Sequence, residues 1–135
     1  MNRILVDTSA YSAFMRGSPA AVTAVQEADT IYVSPIVLGE LQAGFIRGSR
    51  IKKNQRELDD FLSSPRVRVV EVHETTSMRY AVILTSLWKA GTPIPTNDIW
   101  IAATAMEYGL QVLTSDPHYL KIAQILVHDL SDSRS

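Results

Sequence analysis

Ile4-Leu5-Val6-Asp7-Thr8-Ser9 joins a short apolar run to an acid and two hydroxyls that can open a helix. A continuous apolar run followed by turn-prone residues suits a strand buried on both faces, the condition of an inner strand in a parallel sheet. Thr8 or Ser9 then caps a helix through about Met15, which Gly17 closes as a left-handed residue. The same strand-then-helix unit recurs outward along the chain. Ser18-Pro19 starts a helix to about Ala28, Ile31-Tyr32-Val33 is a second strand, and Ser34-Pro35 sets a cap and a first-turn proline before a helix to about Arg47. Residues 51–62 predict an amphipathic helix that turns Ile51, Leu58, Phe61 and Leu62 to the core and ends before Pro65. Val67 to Val72 alternates and is rich in Val, a third strand. A long helix capped by Thr75 or Thr76 runs to Lys89, and another, capped by Thr96, runs from Asn97 to Tyr108. Val112-Leu113-Thr114, a short helix over 117–123 and Ile125-Leu126-Val127 complete the pattern.

Five short strands separated by helices predict an α/β fold with a mainly parallel five-stranded sheet and helices on both faces. Residues 1–130 read as one domain and 131–135 as a frayed tail. The 135 residues carry 13 Lys and Arg, 14 Asp and Glu, and no Cys. A chain of this length buries roughly two thirds of its unfolded surface, so no disulfide or structural zinc is required. The missing cysteines exclude thiol catalysis and cysteine-ligated zinc, and a net charge of -1 argues against a bulk electrostatic grip on nucleic acid. No apolar stretch approaches the roughly 18 residues of a membrane span. The opening residues meet Asp7 too soon for a signal peptide, so a cytoplasmic setting is expected.

In parallel α/β sheets, ligands bind beyond the carboxyl ends of the strands. Asp7 follows the first strand and Asp116 the fourth; Glu40 and Asp98 stand early in helices that begin on the same edge. Each has a structural reading alone: Asp98 as a macrodipole aid, Asp7 and Asp116 as acceptors for turn amides. Glu40 lies past the capping zone. If all four converge, each like-charge pair at about 4 Å costs on the order of 4 kcal/mol at an effective dielectric of 20. Such a cluster needs protons, basic partners or a cation. Oxygen ligands without Cys favour Mg2+ or Mn2+ over zinc, and such an ion suits phosphate chemistry.

The motifs Ile4-Leu5-Val6-Asp7-Thr8-Ser9, Ser34-Pro35-Ile36-Val37-Leu38-Gly39-Glu40-Leu41, Asn97-Asp98-Ile99-Trp100-Ile101-Ala102-Ala103-Thr104-Ala105 and Leu113-Thr114-Ser115-Asp116-Pro117-His118-Tyr119 come in an order and spacing that resembles the PIN-domain nucleases, within them the VapC-type toxins of toxin–antitoxin pairs. The resemblance covers essentially the whole chain. It implies a three-layer α/β/α domain with sheet order 3-2-1-4-5 and an acidic site of Asp7, Glu40, Asp98 and Asp116, with Asp7 and Asp98 foremost as ligands of Mg2+ or Mn2+. Thr8, Ser9, Asn97 and Thr114 would orient carboxylates or waters. The implied activity is endoribonucleolytic hydrolysis by a metal-activated water, leaving 5′-phosphate and 3′-hydroxyl ends, with Glu40 or Asp116 helping to orient the water. The implied partners are an RNA substrate such as tRNA or rRNA, a small cognate antitoxin and a second copy of the chain. Some relatives carry a further acid after the last one, where this chain has Pro117-His118, which puts a second metal site in doubt.

Arg47, Arg50, Lys52, Lys53 and Arg56 put five positive charges into ten residues without an acid. Such a run is commonly a solvated helix face; beside a phosphodiesterase site it is a candidate RNA-backbone surface. His118 reads as a loop histidine bonded to nearby backbone, ahead of a general-acid role, and His73 and His128 are assigned nothing. Trp88, Trp100, Tyr80 and Tyr108 read as core or interface before base-stacking platforms. Phe14, Phe45 and Ile46 are candidate exposed contacts for the antitoxin or the second copy. Phosphatases that form an aspartyl-phosphate need a second Asp where Ser9 stands, the spacing of a receiver domain fails, and neither G-x-S-x-G nor a P-loop occurs. The remaining rivals are a catalytically silent domain of this fold that binds RNA or protein, and a stand-alone RNA-processing nuclease.

Overall fold

The computed structural model of the chain describes residues 2–132. Its elements are β1 (Arg3–Val6), α1 (Thr8–Met15), α2 (Pro19–Glu27), β2 (Thr30–Val33), α3 (Pro35–Arg47), α4 (Ile51–Leu62), β3 (Val67–Val69), α5 (Glu74–Ala90), α6 (Thr96–Tyr108), β4 (Gln111–Thr114) and β5 (Leu126–Asp129). A 3-10 helix, Pro117–Lys121, stands between β4 and β5. All four strand pairings are parallel, and the sheet order is β3-β2-β1-β4-β5. The expected order therefore stands, and the sheet is wholly parallel. With right-handed crossovers, advancing from β1 through β2 to β3 lays α1–α4 on one face, and returning from β3 to β4 lays α5 and α6 on the other.

Ile4, Leu5 and Val6 are at most 1% exposed, as a strand between two neighbours and two helical layers must be. Burying each such side chain contributes roughly 1.5–3 kcal/mol. α6 is buried almost all round through Ile99, Ile101, Ala102, Ala103, Thr104 and Ala105. Its alanines let α5 and the sheet approach closely, so the helix that delivers Asp98 is held on several sides. The connections leaving β1 and β4 run in opposite directions, which opens a crevice at their carboxyl ends.

Several local expectations are corrected. Asp7 itself, not Thr8 or Ser9, caps α1, accepting from Ala10 N at 2.8 Å. Thr96 is the first residue of α6, after Pro95, and does not cap it. His73 precedes α5, whose Thr76 hydroxyl accepts from His73 N at 3.0 Å. β3 stops at Val69, short of Val72, and β5 lies one residue later at its start than expected. The helix after β4 is a 3-10 helix ending at Lys121. Ile51 is 46% exposed because it opens α4, about two turns before the buried Leu58. Phe14 and Phe45 pack partly buried against the core, leaving Ile46 exposed among those three. Trp88 is exposed, whereas Tyr80 and Trp100 stack with ring centroids 4.2 Å apart. Leu130–Asp132 form a 3-10 turn; residues 133–135 of the expected tail lie outside the described residues.

Candidate metal-dependent active site

β1 and β4 are hydrogen-bonded neighbours in register Val6↔Leu113, so Asp7 and Thr114 emerge side by side. Asp7 is 4% exposed and its carboxylate is tightly held. Thr114 Oγ1 donates to Asp7 Oδ2 at 2.6 Å, and Ser9 Oγ donates to Asp7 Oδ1 at 2.8 Å. The hydroxyls are in turn fixed by the loop after β4: Ser115 N donates to Ser9 Oγ at 2.9 Å, and Asp116 N to Thr114 Oγ1 at 2.8 Å. Each hydroxyl thus relays a backbone amide to the same carboxylate.

Glu40 comes from the second turn of α3, a helix capped by Ser34, whose hydroxyl accepts from Ile36 N at 3.1 Å. Thr8 Oγ1 donates to Glu40 Oε1 at 2.6 Å and Asn97 Nδ2 donates to Glu40 Oε2 at 3.1 Å. The four residues expected to orient carboxylates are therefore distributed in pairs, Ser9 and Thr114 on Asp7, Thr8 and Asn97 on Glu40.

Asp98 and Asp116 meet across the 3-10 helix. Asp116 caps that helix by accepting from His118 N at 2.9 Å, the turn-amide bond expected of this acid. The imidazole does more: His118 Nδ1 lies 3.1 Å from Asp116 Oδ1 and 3.2 Å from Asp98 Oδ2. Residues three apart eclipse in a 3-10 helix, and Tyr119, three after Asp116, sends its fully buried hydroxyl to Asp98 Oδ1 at 3.3 Å.

Asp7, Thr8, Ser9, Glu40, Asp98 and Asp116 line one cleft of about 250 Å³ together with Ser12, Ile101 and Tyr119. The structure brings all four predicted acids together, and among the described residues no Lys or Arg lines the cleft with them. Burial pushes the Asp7 carboxyl up; its bonds from Thr114, Ala10 and Ser9 only partly offset this, and Asp116 adds to it. Burial also raises Asp98, with Asp116 opposing and His118 and Tyr119 favouring its ionised form. Burial and the surrounding acids raise the Tyr119 phenol, so it stays a donor. Ionising these acids together calls for positive charge beside them, and among the described residues the His118 imidazole is the one basic group within ion-pair distance, touching Asp98 and Asp116.

The donor set fits a divalent cation. Asp98, Asp116 and His118 each offer one ligand atom within 4.8 Å of the others, and carboxylate oxygens are ligands for such an ion. Asp7 and Glu40 complete the cleft wall.

Tyr119, Ser12, Ile101 and the ring of His118 were missed as site residues by sequence reading. The spacing of Asp116 and Tyr119 carried a signal only once the segment is known to be 3-10. The predicted basic residues lie elsewhere: Arg47 at the end of α3 and Arg50, Lys52, Lys53 and Arg56 on α4 are all exposed. Ser12 also lines a neighbouring groove of about 200 Å³ whose walls include Arg16, Leu41, Phe45, Asn54 and Glu57 and none of those five cations. Tyr11 is buried in that groove, its hydroxyl without a partner among the described residues, and burial beside Glu57 pushes it up to about 12.

The PIN domain family matches residues 4–125. The chain belongs to the PIN-domain family. Ribonuclease VapC4 of Mycobacterium tuberculosis is 33% identical over 95 residues, 70% of this chain and 73% of that protein. VapBC-1 from nontypeable Haemophilus influenzae superposes with a TM-score of 0.84 at 23% identity, covering 96% of this chain and 99% of that one. VapBC-5 from Mycobacterium tuberculosis, a member of the VapBC family of toxin-antitoxin systems, superposes with a TM-score of 0.74 at 20% identity, over 96% of this chain and 100% of that one. At these identities the two structures speak for the fold, while the family match covers every acid of the cleft.

Proposed function

We propose that this PIN-domain protein is a Mg2+- or Mn2+-dependent endoribonuclease, the toxin of a toxin–antitoxin pair acting on cytoplasmic RNA. The observation that carries the reading is the cleft of four acids at the topological switch point, lined by no Lys or Arg among the described residues. The kinship with a ribonuclease of the VapC kind supports RNA as the substrate.

When bound, a divalent cation polarises a phosphoryl oxygen and lowers the pKa of an attacking water. The chain's own residues do the positioning. Asp7, Asp98 and Asp116 hold the cation, with His118 and Tyr119 fixing the two oxygens of Asp98. Ser9 and Thr114 keep Asp7 turned into the cleft. Glu40, gripped at one oxygen by Thr8 and at the other by Asn97, retains lone pairs with which to orient the water. The exposed cations of α4 supply sequence-independent affinity for the RNA backbone. The small antitoxin and a second copy of the chain are the proposed protein partners, as the VapBC likeness suggests.

The deciding experiment incubates RNA with the full chain and Mg2+ or Mn2+, beside Asp7→Asn and Asp98→Asn. Cleavage by the wild type alone, leaving 5′-phosphate ends, is expected. Equal cleavage by all three rejects this cleft, and binding of RNA without cleavage turns the reading to a catalytically silent domain. Co-expression with a small protein encoded next to this gene is expected to relieve growth arrest.

A further inference from the structure

We propose that His118 is itself a ligand of the cation, and that its nitrogen makes the site prefer Mn2+ over Mg2+. The inference rests on the cation-binding reading of the cleft and deepens it. An octahedral ion with bonds of about 2.1 Å sets neighbouring ligand atoms about 3.0 Å apart. His118 Nδ1 stands 3.1 Å from Asp116 Oδ1 and 3.2 Å from Asp98 Oδ2, the spacing of adjacent corners of one coordination shell.

The backbone explains why this nitrogen points inward. Pro117 and the Asp116 cap open the 3-10 helix, and the His118 main-chain N-H is tied to the same Asp116 Oδ1 that faces the ring. Residue 118 is thereby placed over the two carboxylates, with Tyr119 buried behind it. Among the described residues, Asp98, Asp116 and His118 form the set whose ligand atoms lie within 4.8 Å of one another.

Two carboxylates alone suit Mg2+ and Mn2+ about equally by ligand type. Imidazole shifts the balance, because Mg2+ is a hard, oxygen-seeking ion and Mn2+ stands at the start of the series in which nitrogen ligands gain affinity. The competing arrangement is a protonated His118 that sits between the acids as a counter-ion and is expelled by the metal.

The test uses the full chain without RNA. Mn2+ and Mg2+ are titrated calorimetrically into wild type and His118→Asn, and bound Mn2+ is examined by pulsed electron paramagnetic resonance for coupling to 14N. The wild type is expected to bind Mn2+ more tightly than Mg2+ and to show imidazole coupling. His118→Asn is expected to lose the coupling and to bind Mn2+ about tenfold more weakly, with Mg2+ changed by less than about twofold. Circular dichroism checks that the variant is folded, and wild-type spectra decide the matter if it is not. Mn2+ bound without nitrogen coupling, equal weakening for both ions, or no Mn2+ binding would overturn the proposal. Cleavage of RNA alongside any of those results leaves the ribonuclease reading standing, whereas coupling without cleavage sinks that reading and keeps the ligand.

Discussion

Asp98 and Glu107 sit at opposite ends of the same helix, one in the first turn of α6 and the other beside its last residue. The macrodipole favours an acid at the first position and opposes one at the second. Their surroundings reverse that order. Thr75 and Thr76 donate hydroxyls to Glu107, with His73 and Arg79 at 3.9 and 4.0 Å. Burial pushes Glu107 up, but those partners outweigh it and leave the carboxyl below its ordinary value. For Asp98 the balance falls the other way: burial leads, Asp116 adds repulsion, and the bonds from His118 and Tyr119 do not compensate. An acid that ties α5 to α6 comes with donors and cations from the chain. The four acids of the cleft come with hydroxyls, one imidazole and one another, leaving most of their negative charge for something outside the chain to balance.

The comparison breaks most visibly in catalysis. Asp98→Asn is expected to lower RNA cleavage on the order of 100- to 1,000-fold, since cation stabilisation of a transition state is worth several kcal/mol. Glu107→Gln should stay within about twofold, because it removes no charge from the cleft; a comparable loss in both variants would erase the distinction.

A second test reads stability. Folding raises the Asp98 carboxyl, so its ionisation opposes folding as pH rises above the ordinary aspartate range. Without metal at neutral pH, Asp98→Asn is therefore expected to raise Tm. Mn2+ at about 100 times its Kd should stabilise the wild type by about 2.7 kcal/mol and the variant much less. Chelation should reverse the gain in differential scanning calorimetry.

The neighbouring basic surface gives a smaller effect. Charge reversal of Lys52 and Lys53 is expected to weaken RNA binding and to flatten its dependence on salt, by about 0.7 in logarithmic slope for each contact to a single strand. An unchanged slope would remove α4 from the RNA path.

The smallest effect belongs to Glu107 and has the opposite pH signature. Its folded value lies below the ordinary 4.5, so its contribution is complete above that pH and is lost as pH falls through the folded value. Glu107→Gln should lower Tm at pH 7, with the gap to wild type closing below about pH 4.5. A gap independent of pH would mean that packing, not charge, joins the two helices.

The strands and the placing of the acids at one edge were legible because each rests on a local signal: apolar runs of strand length, Ser-Pro helix starts, and acids at fixed offsets after them; the strand order was implied by the family resemblance. Asp7 shows where local signals mislead. By type Asp7, Thr8 and Ser9 can all cap a helix; Asp7 takes the cap, with its carboxylate also held over the helix by Thr114 from a strand far along the chain. The inward turn of His118 was equally unreadable. Asp116 was expected to accept a turn amide, and His118 N is that amide, but the position of Asp98 beside the ring depends on how α6 packs beneath β4.

By itself, then, the sequence determined a parallel α/β domain with four acids bound for one edge, because periodicity and the right-handed crossover leave few ways to arrange five such strands. Tertiary structure alone decided which hydroxyl holds which carboxylate, that Glu107 is neutralised while Asp98 is not, and that Tyr119 and His118 join the cleft. Those outcomes depend on distances between residues remote in sequence, and on desolvation, which exists only once the helices have closed over the sheet.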